Sequence, residues 1–295
     1  MREDTRRLLL SLAHPDDESF GMGGTIARYV DEGVEVYLIC ATNGELGAAD
    51  PEFLEKYGSV TELRLAELRC AAEKLGITRI YTLGYRDSGM AGSPDNAHPD
   101  SLAAADPDEV AGRVTEIIRE VRPQVVVTFD PFGGYGHPDH IAMHRATVRA
   151  FHAAPDPTQY PEQIEAGLQP YRPRKLYYHT FDRRWLRFAV RVMPLLGQNP
   201  EQFGRNKDIN LRVIAAHEYP IHARIAFDRY TEIARQARDC HASQLAGFAR
   251  PGPLQWLRHL LETNEDTFMR AYPPVNGAYE CERDLFEGVH TDAGQ

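Results

Sequence analysis

The densest concentration of proton-transfer and metal-binding groups in the chain is Ala13-His14-Pro15-Asp16-Asp17-Glu18, directly after the apolar run Leu8-Leu9-Leu10-Ser11-Leu12. Buried charge is costly unless it is paired, so an imidazole and carboxylates crowded together at the exit of a strand suit a site better than a core. His14 and Asp17, three apart across a turn, can both bend toward one ion, which leaves Asp16 beside that ion without being bound to it. A divalent ion held by nitrogen and oxygen with one open position lowers the pKa of a bound water, and a spare carboxylate can take the proton. Such a site is still one ligand short. Gly133-Gly134-Tyr135-Gly136-His137-Pro138-Asp139-His140 can supply it, since it follows a second apolar run, Val125-Val126-Val127-Thr128-Phe129. Pro138 suits the first turn of a helix, and 141–151 continues with helical spacing. His137 and His140 then share a face, where one can bind the ion while the other faces substrate.

Both clusters need a scaffold that brings strand exits together. In an open α/β sheet, ligands bind beyond the carboxyl ends of parallel strands. The first half of the chain alternates strand and helix, the pattern of a Rossmann-like, doubly wound, mostly parallel sheet with helices on both faces. The spacing predicts a helix over 25–32, a strand over 34–42, one long helix over 51–75 and a strand over 79–83. Asp106 caps a helix over Pro107–Val121, and Lys175–Thr180 is a further strand. Gly21-Met22-Gly23-Gly24 lacks the third glycine of a dinucleotide fingerprint and reads instead as close packing of the first helix on the sheet. The loop after 83 is long enough to be a binding loop or lid. His98-Pro99-Asp100 within it repeats part of the first cluster without a strand before it or a second ligand after it. Glu45, on the loop after the second strand, can contact substrate. His179 stands near a strand exit, where a structural role is the simpler reading.

The C-terminal part carries weaker signals. Residues 1–180 read as the catalytic core and 181–295 as a region that packs on it and shapes the pocket, the two forming one continuous domain. Helices are expected over 183–191 and 221–242, a short strand over 208–215, and a tail from 248 onward that packs around the pocket rim. Arg183, Arg184, Arg187 and Arg191 read as a solvated helical face. A formal charge of −10 argues against nucleic-acid binding, which demands basic patches. The apolar run before His14 is too short for a signal or membrane segment, so a cytoplasmic protein without a membrane partner is expected. Cys40, Cys70, Cys240 and Cys281 show no C-x-x-C spacing and read as reduced, mostly buried residues. Homo-oligomerisation stays open.

At His14-Pro15-Asp16-Asp17-Glu18 and His137-Pro138-Asp139-His140 the sequence resembles the LmbE-like or PIG-L-type zinc-dependent N-acetylglucosamine deacetylases. Arg64-Leu65-Ala66-Glu67-Leu68, Arg86-Asp87-Ser88-Gly89-Met90 and Gly134-Tyr135-Gly136 resemble the branch that deacetylates sugar precursors of low-molecular-weight thiols or cleaves their conjugates. The resemblance covers roughly the first half of the chain, and His241-Ala242-Ser243-Gln244 is similar to a late family segment with no evident chemistry of its own. It implies His14, Asp17 and His140 as ligands of zinc, with iron(II) as the alternative ion, and Asp16 as general base. It further implies His137 as general acid or electrophile supported by Asp139, Arg64 and Asp87 as sugar-binding residues, and Tyr135 as a group that moves over the reacting amide. The implied substrate is a small N-acetylated amino sugar such as an N-acetylglucosaminyl inositol or malate. An amidase of thiol S-conjugates, a deacetylase of another sugar, a non-enzymatic sugar-binding module and a two-metal phosphoesterase are the rival readings.

Overall fold

The computed structural model describes residues 5–203, 209–245 and 264–289. In chain order the elements are β1 (Arg7–Leu12), α1 (Asp17–Asp31), β2 (Glu35–Thr42), α2 (Pro51–Tyr57), α3 (Val60–Leu75), β3 (Arg79–Tyr85), α4 (Pro107–Val121) and β4 (Val125–Phe129). They continue with the single turn α5 (Gly133–Gly136), α6 (Pro138–Ala153), α7 (Pro161–Glu165), β5 (Lys175–Thr180), α8 (Arg184–Val192), α9 (Leu211–Ala216), β6 (Ala223–Ala226), α10 (Thr231–Cys240) and β7 (Glu265–Tyr272). The sheet order is β3-β2-β1-β4-β5-β7-β6. The first five strands are parallel, and β7 pairs antiparallel with both β5 and β6. This is the doubly wound α/β sheet expected. Every residue of β1 and β4 is buried, as strands covered by helices on both faces must be. The order reverses between β1 and β4, so both site loops leave the sheet at its switch point.

Several local expectations change. The 51–75 stretch is two helices, because Gly58 turns at φ 79° and Ser59 caps α3 by accepting from the Glu62 N–H. The first helix starts at Asp17 instead of 25, with a kink at Met22. Gly23 and Gly24 admit the C-terminal region more closely than the sheet: a Cβ on Gly24 would lie 2.2 Å from the Phe227 ring. The 208–215 strand is replaced by helix α9, which Asn210 caps by accepting from the Arg212 and Val213 N–H groups. The expected 221–242 helix begins as strand β6. The described part of the tail likewise departs from a rim segment, since β7 is an internal strand of the main sheet. Cys70 and Cys240 form a disulfide across α3 and α10, 170 residues apart in sequence, whereas Cys40 is a buried thiol and Cys281 a half-buried one. Among the described residues no helix is long and apolar enough to cross a membrane.

Asp266 on β7 accepts from the Thr25 N–H at 3.2 Å and the Thr25 hydroxyl at 2.5 Å, which ties the last strand to α1. Burial pushes its carboxyl up to about 7. The folded chain therefore holds a proton that the unfolded chain releases near pH 4, so this contribution to stability is full below about pH 4 and is lost as pH rises through about 7. Asp266→Asn, which cannot ionise, is expected to gain about 1–2 kcal/mol relative to the parent between pH 5 and pH 8, allowing for screening at its half-buried position. Denaturant midpoints across that range measure it, and parallel profiles for the two proteins would contradict it.

Candidate active site

The first site loop is short and conformationally forced. Asp16 sits at φ 129°, a region that residues with a Cβ rarely occupy, and caps α1. A strained non-glycine residue at a strand exit is held there by its surroundings. The Arg64 guanidinium donates to the Asp16 carboxylate at 3.0 Å and also to the carbonyls of Pro15 and Gly44. The Asp16 backbone N–H donates to Glu18 at 3.1 Å. Burial raises the Asp16 carboxyl to about 6, against the pull of Arg64 and with further lifting from Asp17.

The second loop is equally constrained. Asp130, at the exit of β4, accepts from the Phe132 and Gly134 N–H groups at 2.9 and 3.0 Å. Its other oxygen pairs with Arg183 at 2.9 Å, and Arg183 also donates to the Gly134 carbonyl at 2.9 Å and to the His217 carbonyl. Arg183 is thus a buried brace for the Gly133–Gly136 turn, which corrects its reading as a solvated residue; Arg184 and Arg187 do lie at the surface, paired with Asp182 and Glu218. Gly133 is at φ 70°, and a Cβ there would stand 2.9 Å from the His140 Cβ, so the turn packs against that side chain only as glycine. His137 caps α6 by accepting from the Asp139 N–H at Nδ1.

These constraints bring the sequence-derived residues together. His14 Nδ1 faces His140 Nε2 at 3.1 Å; Asp17 lies 3.3 Å from His140 Nε2 and 3.7 Å from His14 Nδ1. Ligand atoms around a tetrahedral ion at bond lengths of about 2.1 Å stand about 3.4 Å apart, so the donors are spaced to hold one. Among the described residues the potential ligand atoms also form two overlapping groups within 4.8 Å, His14 with His137 and His140, and His14 with Asp87, His137 and Asp139. Phe129 stacks on the His140 ring at 3.8 Å, and His140 Nδ1 is buried without a hydrogen-bond partner among the described residues.

Asp139 is placed differently from the expectation that it supports His137. Its Oδ2 is 3.1 Å from His14 Nε2 and 3.9 Å from His137 Nδ1. The carboxylate is fixed in turn by the Ser88 N–H at 2.9 Å and by the Ser88 hydroxyl. The order Ser88, Asp139, His14 thus orients an imidazole from behind through a carboxylate, an arrangement that fixes tautomer and ring angle. Asp139→Asn is expected to weaken divalent-ion affinity about 10–100-fold; competition with a chromophoric chelator reads it, and unchanged affinity would contradict the orienting role.

Charge in the site is balanced by these partners. Burial opposes a charged His14 ring, but Asp139, Asp17 and Asp87 outweigh it and hold the ring well above its ordinary value. Burial also opposes ionised Asp17 and Asp87, yet the facing imidazoles keep both below the usual carboxylate range. Burial, with His14 and His140 nearby, presses His137 down to about 2. This environment favours a neutral His137 ring, with its proton on Nε2 because Nδ1 accepts from the Asp139 N–H. Burial raises the Tyr135 phenol, keeping it protonated, with its ring 5.0 Å from that of His140.

Arg64 and Asp87 are both buried, at 3% and 5% exposure, so each faces the protein as much as any ligand. Arg64 contacts Asp16; Asp87 Oδ1 accepts from Gly89 N–H and lies 3.7 Å from His14, while its own N–H donates to Glu45. Ser88, Asp130 and the segment around His241 escape a local sequence reading. His98 lies apart from the metal-type groups, lining a separate cavity of about 620 Å³ with Glu45, Arg86 and Arg113.

The profile of the PIG-L family, GlcNAc-PI de-N-acetylase, matches residues 9–151. A 1D-myo-inositol 2-acetamido-2-deoxy-alpha-D-glucopyranoside deacetylase from Thermobifida fusca is 38% identical over 294 residues, covering 95% of this chain and 99% of that protein. A protein of the same name from Kineococcus radiotolerans is 46% identical over 211 residues, 66% of this chain and 57% of its own length. Among solved structures, N,N'-diacetylchitobiose deacetylase from Pyrococcus horikoshii superposes with a TM-score of 0.60 at 23% identity, covering 91% of this chain and 84% of that one. At that identity the likeness speaks for the fold.

Proposed function

We propose that this chain, which belongs to the PIG-L family of GlcNAc-PI de-N-acetylases, is a metal-dependent hydrolase that removes the N-acetyl group from an N-acetylglucosaminyl inositol. The observation that carries the reading is the convergence of His14, Asp17 and His140 within 3.1–3.7 Å of one another, with Asp16 held beside them by Arg64. The relative matched over nearly the whole chain bears the corresponding substrate name and supports the choice of sugar.

His14, Asp17 and His140 would hold zinc, or iron(II), which the same donor types also suit. Such an ion supplies Lewis acidity and lowers the pKa of its water toward neutrality. Asp16 takes a proton from the attacking water, and its raised carboxyl is well matched to that task near neutral pH. Among the described residues its hydrogen bond from Arg64 uses one oxygen and leaves the other for the water. As the water oxygen adds to the amide carbon, charge grows on the carbonyl oxygen; the neutral His137 Nε2–H and the Tyr135 hydroxyl would be the donors that stabilise it. The proton held by Asp16 then goes to the departing nitrogen, the carbon–nitrogen bond breaks, and acetate and a free amino sugar leave.

The test is amine release from a panel with one acetamido sugar and varied partner groups: inositol, malate, a second N-acetylglucosamine, and an acetylated cysteinyl conjugate. A kcat/KM highest for the inositol glycoside is expected. Preference for the cysteinyl conjugate would make the chain an amidase, and turnover of none would overturn the deacetylase reading.

A further inference from the structure

Glu18 and His241 are both fully buried, 223 residues apart, and no step above uses them. The Glu18 carboxylate accepts from His241 Nε2 at 2.7 Å and from the Ser19 hydroxyl at 2.6 Å on one oxygen, and from the Asp16 N–H at 3.1 Å on the other. Two residues on, Ser243 donates its N–H and its hydroxyl to Glu67 at 2.8 Å, and Glu67 lies on α3 three residues beyond Arg64. Gln244 donates to the Ala48 carbonyl at 3.1 Å, on the loop whose Gly44 carbonyl receives Arg64. Immediately before this segment, Cys240 is joined to α3 by the disulfide with Cys70.

Asp16 therefore has a hold on each side. Arg64 takes its carboxylate, and Glu18 takes its backbone N–H in a conformation, φ 129°, that the residue would not adopt unaided. Among the described residues the turn His241–Gln244 hydrogen-bonds to Glu18, to Glu67 and to the Ala48 loop, and not to Asp16 or to the metal-type ligands, although the His241 charge is felt at Asp16. We propose that His241 is a positioning residue for the reaction: by donating to Glu18 it fixes the carboxylate that locks the Asp16 backbone, and so sets where the Asp16 carboxylate meets the attacking water. The inference rests on the deacetylase reading with Asp16 as base. A misplacement of about 1 Å in a reacting group costs on the order of 10²-fold in rate, so the effect belongs in kcat.

The experiment compares full-length His241→Leu and His241→Gln with the parent after its deacetylation has been established. Leucine removes the donor, whereas the glutamine amide can place an N–H near Nε2. For His241→Leu, kcat is expected to fall about 10–100-fold, with KM within about twofold and bound metal unchanged, and His241→Gln is expected to recover most of the loss. If the leucine protein does not accumulate folded, His241→Asn, whose amide is one bond too short, takes its place with the same expectation. Unchanged kcat, a loss that follows metal content, or a glutamine variant as impaired as leucine would each overturn the proposal. An inactive parent would instead bring down the deacetylase reading, which separates the two failures.

Discussion

Asp16→Ala is expected to bind a full equivalent of metal and to lose about 10²–10⁴-fold in kcat. The loss follows from its position. The carboxylate lies beside the converging donors, among the described residues its side chain is held by Arg64 at 3.0 Å, and burial raises it to about 6, where it can accept a proton from water and later return it. Nothing in the contacts among His14, Asp17 and His140 passes through Asp16, so metal content should survive its removal. Metal analysis of the purified variant beside single-turnover rates checks both halves. A metal-free Asp16→Ala protein would make Asp16 a ligand and vacate the role of base.

The second large effect is expected from His140→Gln, which keeps most of the side-chain volume under Phe129 but gives up the imidazole nitrogen. Metal should be lost on dilution, and activity should fall on the order of 10³-fold or more, because the attacking water loses a drop in pKa from about 16 toward 7. The companion His137→Gln separates the two overlapping ligand groups. His137 Nδ1 accepts from the Asp139 N–H, which leaves the Nε2–H for the substrate-facing role proposed above. His137→Gln should therefore retain metal and lose turnover. If His137→Gln lost the metal and His140→Gln kept it, the ion would belong to His14, Asp87, His137 and Asp139.

What could be read from the sequence was local. The continuous apolar runs of β1 and β4, the capping of α4 by Asp106 and the site loops behind those strands need only neighbouring residues to be recognised, and they placed the donors at strand exits. The alternation of strand and helix showed that the first five strands run parallel with right-handed crossovers, while their order, β3-β2-β1-β4-β5, came from the structure. What stayed hidden depended on distant partners. Arg183 looks like one member of a surface arginine stripe until Asp130, 53 residues earlier, is beside it. His241 lies in a segment that resembles the family but shows no role until Glu18 is beside it, and the Cys70–Cys240 bond spans too many residues for spacing to suggest it. Strand β7, reading Glu-Asp-Thr-Phe-Met-Arg-Ala-Tyr, has little apolar alternation and becomes a strand by pairing on both sides, with β5 and β6. Spacing alone placed Asp139 near His137, whose Nδ1 accepts from its N–H, but gave no sign that its carboxylate also reaches His14 on the other loop. The strain at Asp16 was likewise unreadable, since it comes from Glu18 and Arg64 acting together.

The most direct measurement of the central claim is acetate release from N-acetylglucosaminyl inositol by the full-length protein, first chelated and dialysed, then titrated with zinc or iron(II). One acetate per amino group freed, absent from the chelated protein and restored in proportion to metal up to one equivalent, is the result predicted by donors converging on a single ion. Undiminished acetate release from protein shown to be metal-free would contradict it.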